Sequence, residues 1–174
     1  GGPYEASRWN WTAAGATASP VFVQGVGGPI FRNGELRVQG SYLVIEGLIL
    51  EGGRILMGPG HHLALRRSEV RGYSPGSHSS AVSIEATDVV IHGSEMHHNG
   101  DAASPVEVVV HGIKASTGNA RLWIVDNHIH HNSGDAIQFC HGCIGGGNGP
   151  ANVYIGRNRI HDDEENGIDI KETL

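Results

Sequence analysis

One pattern of apolar residues recurs five times along the chain, and this repetition constrains the fold more than any other feature. Each copy is a triplet typical of a β-strand, followed at fixed offsets by a turn position and then a single apolar residue. Uneven spacing between copies indicates a solenoid in which the strands stack while the loops between them vary in length. Successive triplets begin 20, 26, 33 and 31 residues apart, at Leu43, Leu63, Val89, Leu122 and Val153.

A second pattern lies between the copies of the first. It has mostly apolar ends and a variable centre, and it occurs at residues 36–38, 55–57, 82–84, 113–115, 137–139 and 168–170. This alternation predicts strands whose ends point into a core and whose centres point outward. The 27 glycines are about twice the usual share and disfavour long helices. Together the patterns predict an all-β fold, a right-handed parallel β-helix of about five to six coils.

A row of small or amide side chains follows the triplet strands. Coils of a β-solenoid lie about 4.8 Å apart, so side chains at equivalent positions touch. We expect the asparagines of this row to form hydrogen bonds from one coil to the next. In chain order the row holds Leu48, Ser68, Ser94, Asn127 and Asn158.

The two ends of the chain depart from the repeat. Residues 1–35, which include Trp9 and Trp11, are predicted to form an irregular first coil and a segment that covers the end of the solenoid. Residues 36–174 are predicted to form the β-helix itself. Its last strand ends close to Leu174 without a cap. We expect further coils, another surface or end-to-end self-association to cover that edge.

The composition argues against two classes of partner. The chain has a formal net charge of −6, and 17% of its residues are charged. A protein that binds nucleic acid needs a basic face, which this composition does not favour. No apolar stretch approaches the roughly 20 residues that span a membrane. We therefore predict neither a nucleic-acid partner nor a membrane partner.

Two stretches, residues 127–137 and 158–168, resemble the repeat of the pectate-lyase-like parallel β-helices. That superfamily contains polysaccharide lyases, hydrolases, epimerases, phage tailspikes and non-catalytic proteins, so the resemblance implies a fold more than an activity. Residues 164–171 resemble a strand of the alginate-lyase and chondroitinase-B type of lyase. This second resemblance implies that Glu164 and Asn166 are Ca²⁺ ligands and that Lys171 is the catalytic base.

The alternating strands place polar residues in two neighbouring rows. We predict that these rows form a face that binds a uronate polymer. There, Ca²⁺ would neutralise the uronate carboxylate and acidify the C5 proton, which a lysine would remove. The alternative is a solvated sheet face whose charges pair with each other. The outward row is Ser83, Lys114, Gln138 and Asp169, and the row at the strand entrances is Ser80, His111, Asp135 and Asn166.

The candidate site residues fall into three groups. Carboxylate and amide oxygens are the ligands that Ca²⁺ prefers, although the acidic run at residues 162–165 could equally be a solvated loop. The predicted catalytic residues are Lys171, Asp169 and Lys114; the predicted substrate-binding residues are Gln138, His111, His130 and His161; the predicted Ca²⁺ ligands are Asp135, Glu164, Asn166 and Asp162.

Histidines occupy a further pair of rows. Imidazoles in such rows could bind a transition metal, or act as acid and base near neutral pH. The alternative is a stack of surface imidazoles without a ligand, because polar residues are ordinary at this point of the repeat. The first row is His97, His130 and His161, and the second is His98, His131 and Asp162.

The two cysteines of the chain, Cys140 and Cys143, form one CxxC pair. A zinc site would need two more ligands, and the sequence has no second pair. We therefore predict a local disulfide or two free thiols at this place.

These observations lead to three functional hypotheses. The first is an extracellular or periplasmic polysaccharide lyase that cleaves a uronate polymer with the assistance of Ca²⁺. The second is a non-catalytic β-helix module for carbohydrate binding, adhesion or end-to-end assembly. The third is a β-helix glycoside hydrolase, which needs two carboxylates roughly 5–9.5 Å apart. Asp135 and Asp169 are the candidates for that pair.

Overall fold

The structure, a computed structural model, describes residues 2–101, 103, 108–116, 118, 120–139 and 150–170. These residues form eighteen strands, and they contain no helix that is long and apolar enough to cross a membrane. In chain order the strands are β1 (Tyr4–Glu5), β2 (Arg8–Ala14), β3 (Val21–Gln24), β4 (Ile30–Arg32), β5 (Glu35–Glu46), β6 (Ile49–Glu51), β7 (Arg54–Arg66), β8 (Glu69–Arg71), β9 (Ser79–Ile84), β10 (Thr87–His92), β11 (Glu95–His97), β12 (Val110–Ala115), β13 (Ala120–Val125), β14 (His128–His130), β15 (Ile137–Phe139), β16 (Ala151–Gly156), β17 (Arg159–His161) and β18 (Ile168–Ile170).

The strands wind into stacked coils with three sides. Side 1 holds β2, the first halves of β5 and β7, then β9, β12, β15 and β18. Side 2 holds β3, the second halves of β5 and β7, then β10, β13 and β16. Side 3 holds β1, β4, β6, β8, β11, β14 and β17. All these strand pairs are parallel, and the predicted right-handed parallel β-helix is confirmed.

The core consists of rows of apolar side chains that run from coil to coil. On side 2, Leu63, Val89 and Leu122 lie in register and are buried. On side 1, Ile113 lies beside Ile137, and both are buried. Burying one such side chain contributes about 1.5–3 kcal/mol. The two sequence patterns therefore correspond to two walls of one continuous core.

The N-terminal segment, predicted to cover the first coil, contains strands β1 to β4. Strand β2 pairs with β5 so that Trp9 lies beside Leu36 and Trp11 lies beside Val38. Both indole rings pack edge-on against Phe31, with ring centroids 5.4 and 5.6 Å away. The two tryptophans thus belong to the partly buried interior of a further coil, packed against the core.

Each coil leaves side 3 through a residue in the left-handed backbone region. Glycine adopts this region without cost, and asparagine, aspartate and histidine tolerate it better than most other residues. These residue types therefore recur at this corner. His98 and His131 of the second histidine row lie at the corner, so the turn determines their backbone positions. The φ angle lies between 52° and 69° at Asn33, Gly52, Gly72, His98, His131 and Asp162.

The predicted row of asparagines is confirmed at the corner between sides 2 and 3. Asn127 Oδ1 accepts the backbone N–H of Ser94 at 2.9 Å. Asn158 Oδ1 accepts the backbone N–H of Asn127 at 2.9 Å and the Asn127 side-chain amide at 3.0 Å. The Asn127 amide also donates to the carbonyl oxygen of Ile91 at 2.9 Å. The row therefore connects each coil to the next through hydrogen bonds that are buried or partly buried.

Candidate functional site

A cluster of polar side chains lies at the entrance to side 1. His111 lies beside Ser80, as the repeat predicts. In the following coils, Asp135 and Asn166 continue the row through direct hydrogen bonds. Ser80, His111 and Asp135 are buried, and so is Gln138. We call His111, Asp135, Gln138 and Asn166 the entrance cluster.

His111 is held in one orientation. Its Nδ1 atom accepts a hydrogen bond from the backbone N–H of Asp135 at 3.0 Å, so the neutral ring carries its proton on Nε2. Asp135 Oδ2 lies 3.3 Å from the same nitrogen, but only a protonated ring could donate to it. Gly134 makes room for this packing, because a Cβ there would lie 2.8 Å from His111 Nδ1.

The Asp135 carboxylate is fully buried and accepts three hydrogen bonds. Its Oδ1 atom accepts from the backbone N–H of Asn166 at 3.0 Å and from the Asn166 amide at 2.9 Å. Its Oδ2 atom accepts from Gln138 Nε2 at 2.9 Å. Asp135 therefore joins two coils. With Asp135 buried, the predicted pair with Asp169 does not present two carboxylates to a substrate, as glycoside hydrolysis would require.

Gln138 is buried, although the alternation along its strand places it on the outward row. It lies beside Lys114 in one coil and beside Asp169 in the next, and both of those residues are half-buried. The Gln138 Oε1 atom is buried and has no hydrogen-bond partner in the described part of the chain. Buried acceptors normally have a partner. A buried water molecule would be stabilised at this atom.

Four residues are predicted as Ca²⁺ ligands, and the structure brings two of them together. Asp135 and Asn166 are in contact, but through hydrogen bonds that occupy Asp135 Oδ1. Asp162 lies beside His161 on side 3, and Glu164 donates its backbone N–H to the carbonyl oxygen of Asn132. Calcium takes six to eight oxygen ligands. The described residues do not by themselves complete such a site, and Ca²⁺ dependence stays a prediction.

One acidic residue joins the entrance cluster without having been singled out in the sequence. His111, Asp135 and Glu165 each offer one ligand atom, and these atoms lie within 4.8 Å of one another. Glu165 is the last of four consecutive acidic residues, and nothing in that run indicates which carboxylate turns toward His111. The position just before Asn166, at the start of the strand entrance, is the only signal that could have identified it.

The remaining candidates are divided between two sides of the β-helix. Lys114, Gln138 and Asp169 lie on side 1, whereas His130 and His161 lie on side 3. The predicted substrate-binding residues therefore do not form one group. Lys171, Cys140 and Cys143 lie outside the described residues, and the roles assigned to them stay predictions.

The two histidine rows form stacks of nearly parallel rings. The ring centroids of His97 and His130 lie 5.1 Å apart, and those of His130 and His161 lie 5.0 Å apart, with an interplanar angle of 7° in each pair. His98 and His131 stack at 4.7 Å and 3°. Burial, followed by the neighbouring charge of His97, lowers the pKa of His98. The stacked imidazoles of the sequence analysis are therefore present, with their nitrogens close together.

Two solved structures of known proteins share this architecture. Pectate lyase Pel9A matches with a TM-score of 0.61 at 13% sequence identity, over 79% of this chain and 38% of the lyase chain. The A-module of the Azotobacter vinelandii mannuronan C-5 epimerase AlgE4 matches with a TM-score of 0.53 at 14% identity, over 95% of this chain and 64% of the module. The fold that this chain shares with both proteins is the parallel β-helix.

At this level of identity the likeness concerns the fold of the β-helix alone. The chain spans 38% of the pectate lyase and 64% of the epimerase module. No protein-family model matches the sequence, and no curated protein matches it either. A function for this β-helix must therefore be argued from its own residues.

Proposed function

We propose that this β-helix is a carbohydrate-active protein of the extracellular space or periplasm, and that it acts as a polysaccharide lyase on a uronate-containing polymer. The observation that carries the proposal is the entrance cluster. There, a histidine of fixed orientation and a buried amide oxygen without a described partner lie on the side that carries Lys114 and Asp169. The two structural neighbours are named for pectate and for mannuronan. Both are polymers of uronic acids, which supports the substrate class.

Elimination from a uronate polymer needs three functions. A cation must stabilise the carboxylate as negative charge develops, a base must remove the C5 proton, and the oxygen at C4 must leave. In our proposal the Lys114 ammonium faces the carboxylate and Lys171 takes the C5 proton. The C4–O bond then breaks, a C4–C5 double bond forms, and the leaving oxygen takes a proton from solvent.

The remaining candidates position the substrate and the base. Gln138 and His111 are buried, so in the proposal they support the sugar-binding face from below, and Gln138 holds Asp135 in place through its amide. Asp169 stands two residues before Lys171 in the sequence, and in the proposal it orients the base.

The test is ultraviolet detection of unsaturated uronate after incubation with pectate, alginate or chondroitin, each with added Ca²⁺ or with a chelator. We expect product from one of the polymers, and we expect Lys114→Ala to lower kcat/KM by about 100-fold. Arg121→Ala is the matched control, because Arg121 pairs with Asp88 on side 2, and it should keep full activity. Absence of unsaturated product from all three polymers would overturn the lyase proposal. Loss of product with the chelator would establish the Ca²⁺ requirement.

A second candidate function, carbohydrate binding without catalysis, is favoured by an apolar row on the outer face of side 2. Phe22, Trp123 and Tyr154 expose 63%, 40% and 50% of their surface. Exposed apolar patches mark interaction surfaces, and an aromatic ring offers a large flat face to the apolar side of a sugar. The row is Phe22, Val44, Ala64, Val90, Trp123 and Tyr154, in register from coil to coil.

Electrophoresis in gels that contain the polymer separates the two functions. Under the binding hypothesis, the double variant with Trp123→Ala and Tyr154→Ala migrates faster than the unaltered protein, whereas Lys114→Ala is retarded normally. Equal retardation of the double variant and the unaltered protein would exclude the aromatic row as a carbohydrate-binding surface.

Self-association through the edge of the last coil is a further part of the proposal. Ile168 and Ile170 are both exposed on β18, and an exposed strand edge is a template for another chain. Sedimentation velocity over a range of concentrations tests it. A single concentration-independent species would rule out assembly through this edge.

A further inference from the structure

Three histidines on side 3 lie close enough to share one ligand. His128 and His130 stand two residues apart on β14, and His161 lies beside His130 on the neighbouring strand β17. One ring nitrogen from each of the three lies within 4.8 Å of the other two. Their side chains are 33%, 11% and 30% exposed. The group is therefore anchored in the wall of the β-helix and open to solvent at one side.

Carboxylates lie beside two of these rings, and one of them fixes a tautomer. Asp162 Oδ2 lies 2.8 Å from His161 Nδ1, and Glu95 Oε1 lies 3.1 Å from His128 Nδ1. The Asp162 contact is a hydrogen bond, so His161 Nδ1 carries a proton, and the neutral His161 ring has a lone pair on Nε2. The Glu95 contact is an ion-pair approach that does not fix the position of the His128 proton.

The Nε2 atoms of His128 and His161 face each other at 2.8 Å. Without a metal, a proton on His128 Nε2 is donated to the lone pair of His161 Nε2. A divalent metal ion can take the place of that proton. A histidine whose other nitrogen donates to a carboxylate, as His161 donates to Asp162, is the usual metal-binding arrangement of this side chain.

We propose that His128, His130 and His161 bind a late first-row divalent transition metal, for which Zn²⁺ is the reference ion. Imidazole nitrogens suit these ions, and three histidines with one open position form an ordinary tetrahedral zinc site. Zinc–nitrogen bonds of about 2.0–2.1 Å place two ligand nitrogens about 3.3 Å apart. The two Nε2 atoms therefore separate slightly when the ion enters, and a water molecule takes the fourth position.

The carboxylates of Glu95 and Asp162 lie beside the site and favour a cation, whereas the guanidinium of Arg159 opposes one. Glu95 Oε1 lies 3.0 Å from His130 Nε2, so coordination through this nitrogen replaces that hydrogen bond and leaves the carboxylate beside the ion. The neighbouring group of His98, His130 and His131 has a different arrangement. There, the Nδ1 atoms of His130 and His131 face each other at 2.7 Å, so these nitrogens contact each other instead of a carboxylate.

The site lies on side 3, and the proposed lyase face lies on side 1. Metal binding at the histidines can therefore be tested independently of the proposed activity, and failure of one proposal does not affect the other. It also concerns a different class of ion, because Ca²⁺ prefers oxygen ligands over imidazole.

Isothermal titration of the untagged, chelator-treated protein with Zn²⁺ tests the proposal. We expect one strongly bound Zn²⁺ per chain. His128→Ala should weaken binding by at least about 100-fold, and Asp162→Asn should weaken it by about 10–100-fold, because the carboxylate only orients a ligand. His61→Ala is the matched control. The rings of His61 and His62 make a similar contact, with their Nδ1 atoms 2.8 Å apart, and this variant should bind as the unaltered protein does.

Two further measurements make the outcome unambiguous. Circular dichroism of His128→Ala confirms that a loss of binding is not a loss of fold, and Co²⁺ in place of Zn²⁺ should give the intense visible absorption of a tetrahedral ion. Failure of Zn²⁺ to bind at submillimolar concentration would overturn the proposal. So would loss of binding in His98→Ala with normal binding in His128→Ala, because the ion would then occupy the neighbouring group.

Discussion

Asp163 ends a row of three side chains that begins with Asn99 and Asn132. Asn99 and Asn132 direct their amide nitrogens at the carbonyl oxygens of Val70 and Met96. Asp163 has no such donor, and its buried Oδ2 atom has no hydrogen-bond partner in the part of the chain that the structure describes. Burial raises the pKa of this carboxyl and outweighs the hydrogen bonds that Asn132 donates to it. The folded protein therefore disfavours the charged form of Asp163.

We expect Asp163→Asn to stabilise the protein by about 0.5–1 kcal/mol at pH 7. The new amide can donate to the carbonyl oxygen of Ile129, which is the next in the series after Val70 and Met96. A raised folded-state pKa favours the folded state at low pH, and that advantage is lost as the pH rises through it. The gain from Asp163→Asn should therefore shrink as the pH falls. Urea denaturation at pH 7 and pH 3 measures both effects.

The reverse substitution is the control. Asn132→Asp places a carboxylate at a fully buried position of the same row and directs an oxygen at the Met96 carbonyl. It should destabilise the protein by about 1–3 kcal/mol. Suppose that Asp163→Asn lowers stability while Asn132→Asp leaves it unchanged. The unpartnered Oδ2 atom of Asp163 would then not destabilise the folded protein.

At the scale of a strand, the sequence predicts rows better than it predicts burial. The alternation along β12 and β15 correctly places Lys114 beside Gln138. It does not predict that Gln138 is buried, because what covers an outward side chain depends on other segments. The division of His111 and His161 between two sides follows from the position of the corners. The acidic run before Asn166 is ambiguous for a similar reason. A shift of one residue along the strand decides whether Glu164 or Glu165 lies near His111.

The asparagine row makes an element-scale prediction at Asn127. Asn127→Ala leaves the Ser94 N–H and the Ile91 carbonyl without partners, and we expect a loss of about 2–4 kcal/mol. Asn127→Ser should cost less, because serine already accepts the equivalent bond at Ser68 and Ser94. Denaturant midpoints of the two variants provide the comparison. Equal losses would show that the oxygen at this position does not connect the coils.

At the scale of the whole molecule, the repeat determines the architecture because each coil touches only its neighbours. The intervals between the triplets are visible in the sequence, and they were sufficient to predict the stacking. The closeness of the histidine nitrogens was not predictable, because it depends on the orientations of the individual rings. The N-terminal coil was predicted only as an irregular one, because its aromatic side chains replace the aliphatic pattern of the later coils.

We expect a core side chain to contribute more to the free energy of unfolding the more deeply it is buried, even within one row. Ile124 and Ile155 are neighbours in register, but Ile124 is fully buried and Ile155 only partly. We expect Ile124→Ala to lower the free energy of unfolding by about 3–4 kcal/mol and Ile155→Ala to lower it by about half as much. Chemical denaturation followed by circular dichroism measures the difference. Equal losses would contradict a core whose packing differs between these two coils.

At the two corners that flank side 3, the bonds from backbone to side chain between coils run in one direction. A backbone N–H of one coil donates to a side-chain oxygen of the following coil, at Ser94, Asn127, Asn132 and Asn158. Each coil thus requires one oxygen from its successor at each of these corners, and serine, asparagine and aspartate all supply it. Coils that meet this requirement are interchangeable at the two corners. Duplication or exchange of one coil within a gene would lengthen or rearrange such a protein and leave these bonds in place.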